Sequence, residues 1–160
     1  MALQRNNIGT ISPTSWQSLG IAGIASCVAQ TVSGSSNVID HELTVIINPG
    51  AVTPAAGVQI NAYIYGSPDG TIWPGVAATD EVIDGTDKGS LAFSTYGQIG
   101  KLLGVIPIVV ASQVHKSNPM SLVAALGSLP SKYVVVIQNA TGVALASSGN
   151  SLNIQELYYN

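Results

Sequence analysis

Carboxylates that could bind a cation are concentrated in one short stretch of this sequence. Asp80, Glu81, Asp84 and Asp87 fall within eight residues. Ca²⁺ takes six to eight oxygen ligands, and a carboxylate-rich loop can supply several of them. Asp80, Asp84 and Asp87 are therefore the candidate metal ligands, although their spacing does not match an EF-hand. A solvated acidic loop explains the same pattern, and we expect no metal or other cofactor.

The histidines and the cysteine lack the partners that catalysis requires. His41-Glu42 begins like a zinc-protease motif, but Val45 stands where the second histidine is needed. Only His41 and His115 are present, so a three-ligand zinc site would need carboxylates from elsewhere. Cys27 has no histidine or lysine beside it in the sequence to activate its thiol. We expect ordinary histidines and a buried structural cysteine.

Signatures of common enzyme classes are missing from the sequence. It has no G-x-G-x-x-G motif, no phosphate-binding P-loop and no G-x-S-x-G motif. A glycosidase needs a pair of carboxylates, and half of the eight carboxylates lie in the acidic stretch at 80–87. The sequence therefore predicts a protein that is not an enzyme.

Aromatic side chains are the candidate contact residues. They could anchor a protein interface or form a platform for a sugar, and ordinary packing is the alternative. Tyr63 and Tyr65 lie on one face of the strand predicted at 58–65, opposite its aliphatic face. The six candidates are Trp16, Tyr63, Tyr65, Trp73, Tyr158 and Tyr159.

The surface must be unusually poor in charge. Charged residues make up 8% of the 160 residues, against about 25% in ordinary domains. Neither a nucleic-acid surface nor a basic membrane-binding helix is expected, because the five basic residues are scattered. A weakly charged surface provides little repulsion between copies and suits a protein packed against others.

The pattern of hydrophobic residues has a period of two, which is typical of β-strands. We expect strands at 41–47, 58–65, 101–110, 132–138 and 152–159. The stretch 101–110 is apolar in both alternating positions, which indicates that both of its faces are covered. Pro107 within it instead favours an edge strand or a bulge.

Shorter signals supplement this pattern. Residues 71–73 are expected to begin a return strand after a turn at 67–70, and weaker strand signals lie at 30–32 and around 91–93. A short helix or a 3₁₀ turn is expected between Asn118, as its cap, and Gly127, just past its end, and a strand is the alternative. Residues 1–20 are expected to form an N-terminal arm or extended segment, and 21–160 a single domain.

Seven or eight short strands separated by turn residues predict an all-β fold. We expect an antiparallel β-sandwich, jelly-roll-like, with at most one short helix. Eight strands in two sheets fit the length of the chain.

Three segments resemble small structural proteins of tailed bacteriophages. They are Tyr63-Ile64-Tyr65-Gly66-Ser67-Pro68-Asp69-Gly70, the run from Lys101 to Pro107, and the C-terminal run from Leu129 through Asn139-Ala140-Thr141-Gly142 to Asn150. The resemblance covers about half of the chain. It implies a head decoration or cement protein that is located on the capsid surface after synthesis in the bacterial cytoplasm.

The resemblance also implies partners. They would be the major capsid protein or other virion proteins, together with further copies in a homo-oligomer, most simply a trimer. Two alternatives stay open on the residues alone: a carbohydrate-binding protein, or a tail or neck component of the particle.

Overall fold

Two antiparallel sheets form the protein. The computed structural model describes residues 2–32, 37–53, 55, 57–74, 83–89, 91 and 100–160. Within these ranges the strands are β1 (Leu3–Ile11), β2 (Ile24–Ser26), β3 (Gln30–Thr31), β4 (Val38–Ile47), β5 (Gln59–Ser67), β6 (Lys101–Pro107), β7 (His115–Lys116), β8 (Met120–Ser121), β9 (Lys132–Ala140) and β10 (Ser151–Tyr159). The helical elements are a 3₁₀ turn at Thr14–Trp16 and helix α1 at Leu122–Leu126.

The strand pairing is nested from the ends of the chain inward. Sheet A has the order β1-β10-β4 with β7 and β8 beyond β4, and sheet B has the order β2-β9-β5-β6 with β3 also on β9. β2 and β3 can be counted as one interrupted strand, and β7 and β8 as another, which leaves eight strands. The first of these then pairs with the last (β1 with β10), and the second pairs with the next to last (β2 and β3 with β9). The third pairs with the sixth (β4 with β7 and β8), and the fourth pairs with the fifth (β5 with β6). This nesting in two sheets of four is the jelly-roll arrangement, which confirms the predicted fold class.

Alternating side chains build the core between the sheets. Leu43, Val45 and Ile47 of β4 point inward and are buried, while the residues between them are partly exposed. Leu152 and Ile154 of β10 continue the same layer. The hydrophobic alternation in the sequence therefore places these strands as predicted, because each has one buried face.

Strand β9 is buried on both faces. Val134 and Val136 point away from the core between the sheets, yet both are fully buried. Described residues from the chain between β5 and β6 lie against this side of sheet B. In that region Ser26 Oγ donates a hydrogen bond to the carbonyl of Thr86, and Gly100 packs on Tyr65 so closely that a Cβ there would lie 2.5 Å from the tyrosine ring.

Of the two expectations for 101–110, coverage of both faces is wrong, and the edge position indicated by Pro107 is confirmed. β6 pairs with β5 at an edge of the described sheet, and Leu102 and Val105 are exposed. An apolar residue at an edge does not need a covering layer to be compatible with a strand, so the hydrophobic pattern could not distinguish the two situations, whereas Pro107 did.

The return strand predicted at 71–73 is absent from the described structure. Asp69 Oδ1 accepts hydrogen bonds from the backbone amides of Thr71 and Ile72, and Ser67 Oγ donates to the carbonyl of Ile72. Side chains thus occupy the backbone groups that a strand would use for its ladder.

Helix α1 lies within the predicted stretch but begins later than expected. Its N-cap is Ser121, whose side chain accepts from the Ala124 amide, and not Asn118. Asp40 of β4 accepts from the amide of Val123 and from the Ser121 hydroxyl. Gly127 ends the helix in a left-handed conformation, as predicted.

The N-terminal segment is extended over β1 and belongs to sheet A. β1 pairs along its length with β10 at the edge of sheet A. After it, the 3₁₀ turn places Trp16 in the hydrophobic core. Residues 2–8 are exposed on both faces of the strand, which explains their weak hydrophobic pattern.

Candidate functional site

The described carboxylates of the acidic stretch are occupied by hydrogen bonds within the protein. Asp87 accepts from the backbone amides of Thr14 and Ser15, at 2.7 and 3.1 Å, and so holds the loop against the 3₁₀ turn. Asp84 accepts from Thr86 and lies 2.7 Å from the Lys88 ammonium.

These contacts give both aspartates a structural role. Partial burial opposes ionisation of Asp84, but the hydrogen bonds from Lys88 and Thr86 outweigh it and lower its pKa to about 2. Asp80, the third candidate ligand, lies outside the described residues. Among those described, no three His, Cys, Asp or Glu side chains are grouped as metal ligands.

The six candidate aromatic residues do not form one surface. Trp16 and Tyr65 are fully buried and cannot contact a partner in this fold. Tyr63, Trp73 and Tyr158 are half-buried, and Tyr159 is exposed at the end of β10. Of the six, Tyr159 is therefore the best placed to contact another molecule.

The two histidines lie far apart. His115 of β7 pairs with Ile47, six residues along β4 from His41, which is about 20 Å at the rise of a strand. His115 Nε2 is 2.9 Å from the carbonyl oxygen of Val110 and fastens the loop between β6 and β7. A zinc site shared by the two histidines is incompatible with this spacing.

A buried polar cluster, which the sequence did not predict, joins the two sheets. His41 Nδ1 of β4 is 3.1 Å from the Tyr133 hydroxyl of β9, and the rings meet edge to face. Among the described residues His41 Nε2 has no hydrogen-bond partner, and it lies 3.8 Å from Glu156 Oε1 of β10. Alternation marked His41 as inward-facing, but nothing in the sequence pointed to Tyr133 as its partner.

Burial determines the charge state of this cluster. Desolvation lowers the pKa of His41, although the carboxylates of Glu156 and Asp40 act in the opposite direction. Burial likewise raises the pKa of Tyr133. With its ring almost fully buried, His41 cannot reach a substrate, so the cluster serves to connect the sheets.

The outer face of sheet A is open and built from amides and hydroxyls. We call this surface the sheet A face; it comprises Asn7, Thr10, Thr44, Asn153 and Gln155. The Asn153 amide donates to Thr10 Oγ1 at 3.0 Å and lies 3.4 Å from Asn7 Oδ1. These neighbours hold the amide in a defined orientation.

The charges on this side of the protein neutralise one another. Arg5 of β1 reaches across β10 to Glu42 of β4, with Nε 3.1 Å from Oε2. The ion pair raises the pKa of Arg5. The largest cause is the hydrogen bond to Glu42, followed by the attraction between the two charges. Leu3 and Tyr159 are opposite each other in the β1–β10 register and add an exposed apolar end.

An open cleft of about 610 Å³ lies at one end of the sandwich. Its described lining includes aliphatic and proline side chains from the loop before β9, together with Tyr65 and Lys101. Carboxylate and amide side chains, which recognise sugar hydroxyls, are not among these lining residues. The sheet A face is therefore the better candidate for a polar partner.

Comparisons with known proteins yield little. No family model matches the sequence, and no curated protein does. Two solved structures of infectious bursal disease virus are weakly similar: a Gx strain structure (15% identity, TM-score 0.22) and a mutant VP2 protein in derived T=1 particles (18% identity, TM-score 0.16). Each match covers nearly all of this chain, 98% and 99%, but only 39% and 38% of the other. At these TM-scores neither supports an argument about fold or function.

The described helices are too short and insufficiently apolar to cross a membrane.

Proposed function

We propose that this chain is a bacteriophage structural protein that binds the outside of the capsid shell and stabilises it through protein–protein contacts, without catalysis. The sheet A face is the observation on which the proposal rests. The resemblance in three sequence segments supports the assignment to phage, with the major capsid protein as the partner and the virion surface as the location. The jelly roll is also a fold found in viral capsid proteins.

A face without net charge suits a crowded lattice. Each amide or hydroxyl can exchange a hydrogen bond with water for one with a partner, and leaving such a group unpaired in an interface is costly. Specificity therefore comes from matched polar groups. Because the Arg5–Glu42 pair is internally neutralised, neighbouring copies do not repel one another strongly through this face.

Strand β1 offers a second means of attachment. Among the described residues it pairs with β10 on one side, so its other edge presents backbone amides and carbonyls. An extended segment of a capsid protein can add to such an edge as a further strand. Leu3 and Ile8, both exposed, provide apolar contacts beside that edge.

Stabilisation would follow from mass action. A protein that binds only the assembled shell lowers the free energy of that state by an amount that grows with its free concentration. No reaction is needed, and the contact residues carry the function.

To test the proposal, the purified protein is mixed with capsids that lack a decoration protein, and the amount of protein that sediments with the capsids is measured. Wild type is expected to bind to a saturable number of sites. Thr44→Lys is expected to weaken binding by at least about tenfold, because a buried unpaired ammonium costs more than the 1.4 kcal/mol that a factor of ten represents. Thr53→Lys, on an exposed loop, is the matched control and should bind normally.

Two results would contradict the proposal. Failure of wild type to sediment with any capsid overturns the capsid role. Equal binding of Thr44→Lys and Thr53→Lys overturns the assignment to the sheet A face.

Carbohydrate binding by a tail or neck component is a second candidate. It is favoured by the position of exposed Tyr159 on the same side of sheet A as Gln155 and Asn153, since an aromatic ring beside amides is a typical sugar-binding surface. Binding of the wild type to a glycan, lost in Tyr159→Ala and without any capsid binding, would support this candidate instead.

A further inference from the structure

The open cleft at one end of the sandwich has the size and the lining of a ligand site, and we call it the end cleft. Its volume of about 610 Å³ is within the range of pockets that hold small molecules. Most of its described lining residues are aliphatic or proline, among them Val38, Leu129 and Pro74. Water forms few hydrogen bonds with such walls, so an apolar molecule can displace it favourably.

Hydrogen bonds and packing hold the walls of the end cleft in place. The Val32 amide donates to the Ser131 carbonyl at 3.0 Å, and Ser131 Oγ donates to the carbonyl of Pro68. Pro130 packs directly on Gly66 of β5, where a Cβ would lie 3.2 Å from the proline ring. A cleft whose walls are already fixed requires little ordering when a ligand binds.

Lys101 supplies a positive charge to the end cleft. It is opposite Ile64 in the β5–β6 register, and both residues line the cleft. Lys101 is exposed, and the ion pairs between described residues do not involve it. The other described lining residues carry no charge. An apolar cleft with a single cation fits a molecule that has an apolar body and one anionic group.

The carboxylates that are close in sequence to lining residues are engaged by other groups. Asp69 follows Pro68 and accepts from the backbone amides of the next turn, at positions 71 and 72. Asp40, two positions after Val38, accepts from the hydroxyl and the amide at the start of helix α1. The Lys101 ammonium is therefore available to a ligand.

We propose that the end cleft binds an amphipathic monocarboxylate. The apolar part of the ligand lies between the aliphatic and proline walls, and its carboxylate contacts the Lys101 ammonium. A carboxylate suits a single lysine, because one ammonium neutralises its one negative charge, whereas a phosphate group carries more than one. The end cleft shares no residue with the sheet A face, so this site is independent of the proposed capsid contact.

Calorimetric titration of the full chain with decanoate tests the site. Decanoate is expected to bind at one saturable site, and more tightly than decanol, which has the same apolar chain without the charge. Acetate should bind far more weakly, because each methylene that enters the cleft strengthens binding by roughly fourfold. No saturable binding of decanoate, or equal binding of decanoate and decanol, would overturn the proposal.

Lys101→Met tests the charge while leaving a long apolar side chain in place. Decanol should bind this variant as it binds wild type, which shows that the cleft is intact, whereas decanoate should bind about three- to tenfold more weakly. Lys116→Met is the matched control, because Lys116 is an exposed lysine of β7 outside the described lining. Decanoate should bind this control as it binds wild type.

Charge reversal gives a second, opposite expectation. Lys101→Glu should bind decyltrimethylammonium more tightly than decanoate, whereas wild type should prefer decanoate. Unchanged decanoate binding in Lys101→Met, or an equal loss in Lys116→Met, would overturn the assignment to the end cleft.

A protein chain end is the other occupant that the experiment detects. If a short apolar peptide with a free C-terminal carboxylate binds and decanoate does not, the proposed ligand class is wrong. Capsid binding is measured separately, so a failure of this proposal can be distinguished from a failure of the proposed function.

Discussion

His41 Nδ1 and the Tyr133 hydroxyl lie 3.1 Å apart and join strand β4 of one sheet to strand β9 of the other. A neutral imidazole can accept a hydrogen bond from the tyrosine hydroxyl at Nδ1, and its own proton is then on Nε2, the atom nearest to Glu156. Burial of the ring disfavours the charged imidazolium in the folded protein.

Acid should therefore weaken the fold through His41. Its pKa is lowered in the folded protein, so the unfolded chain, with a histidine pKa near 6.5, binds the proton more readily. Stability is fully present above about pH 6.5 and decreases as the pH falls from there toward the lower folded-state pKa. Urea unfolding between pH 5 and pH 7.5 measures this slope.

His41→Gln is the control for that slope, because it cannot titrate but can accept the tyrosine hydrogen bond through its amide oxygen. We expect a flatter dependence on pH in this range. The same slope in both proteins would show that another group is responsible.

Cys27 should be inert in the folded protein. It is fully buried, and desolvation raises the pKa of its thiol to about 12. Only the thiolate reacts with common thiol reagents. We expect no labelling of the native protein at pH 8 and complete labelling in urea. Rapid labelling without denaturant would mean that β2 separates readily from β9.

Asn139 should be among the most sensitive polar positions. Its amide nitrogen lies 2.7–3.0 Å from the carbonyl oxygens of Leu19, Gly20 and Val143, and its oxygen accepts from Thr141. Asn139→Ala leaves these buried groups unpaired and should cost about 2–4 kcal/mol in the free energy of unfolding.

The comparison for this variant is Asn153→Ala, which removes an amide from the partly exposed sheet A face. Its effect on stability should be within about 0.5 kcal/mol. Equal losses in the two variants would contradict the role assigned to Asn139 in holding the loops at 19–20 and 143.

Asp87 should contribute stability rather than bind a cation. Asp87→Ala removes both acceptors from the 3₁₀ turn before Trp16 and should cost about 1–2 kcal/mol, as loss of a cap does. Asp87→Asn keeps one acceptor and should lose less. Thermal unfolding with and without Ca²⁺ checks this account: a midpoint that rises with Ca²⁺ in wild type but not in Asp87→Ala would restore the metal hypothesis.

The sequence predicts those strands that have one face in the core. Residues 41–47 alternate because their odd positions point inward, so β4 was predictable. β1 was not, because neither face of residues 3–8 is buried and no hydrophobic period develops there. A polar strand of this kind is fixed by its hydrogen bonds to β10, which lie almost the whole chain away.

Pairs distant in sequence limit what can be predicted of the site. His41 and Tyr133 are 92 positions apart, and only the nested strand order places them opposite each other. Similarly, the aspartates of the acidic stretch resemble a cation loop until Thr14 and Ser15, more than 70 positions earlier, are seen to occupy Asp87. The poverty of charge, in contrast, is a property of composition, and it led directly to the uncharged sheet A face.

The function that we propose for this protein is to stabilise a phage capsid by binding to it. In the most direct measurement, capsids that lack a decoration protein are heated at increasing concentrations of the purified protein. The temperature at which the shells release their contents is recorded. We predict that this temperature rises with protein concentration and levels off when the sites are filled. An unchanged release temperature at concentrations where the protein is folded and in excess would contradict the claim.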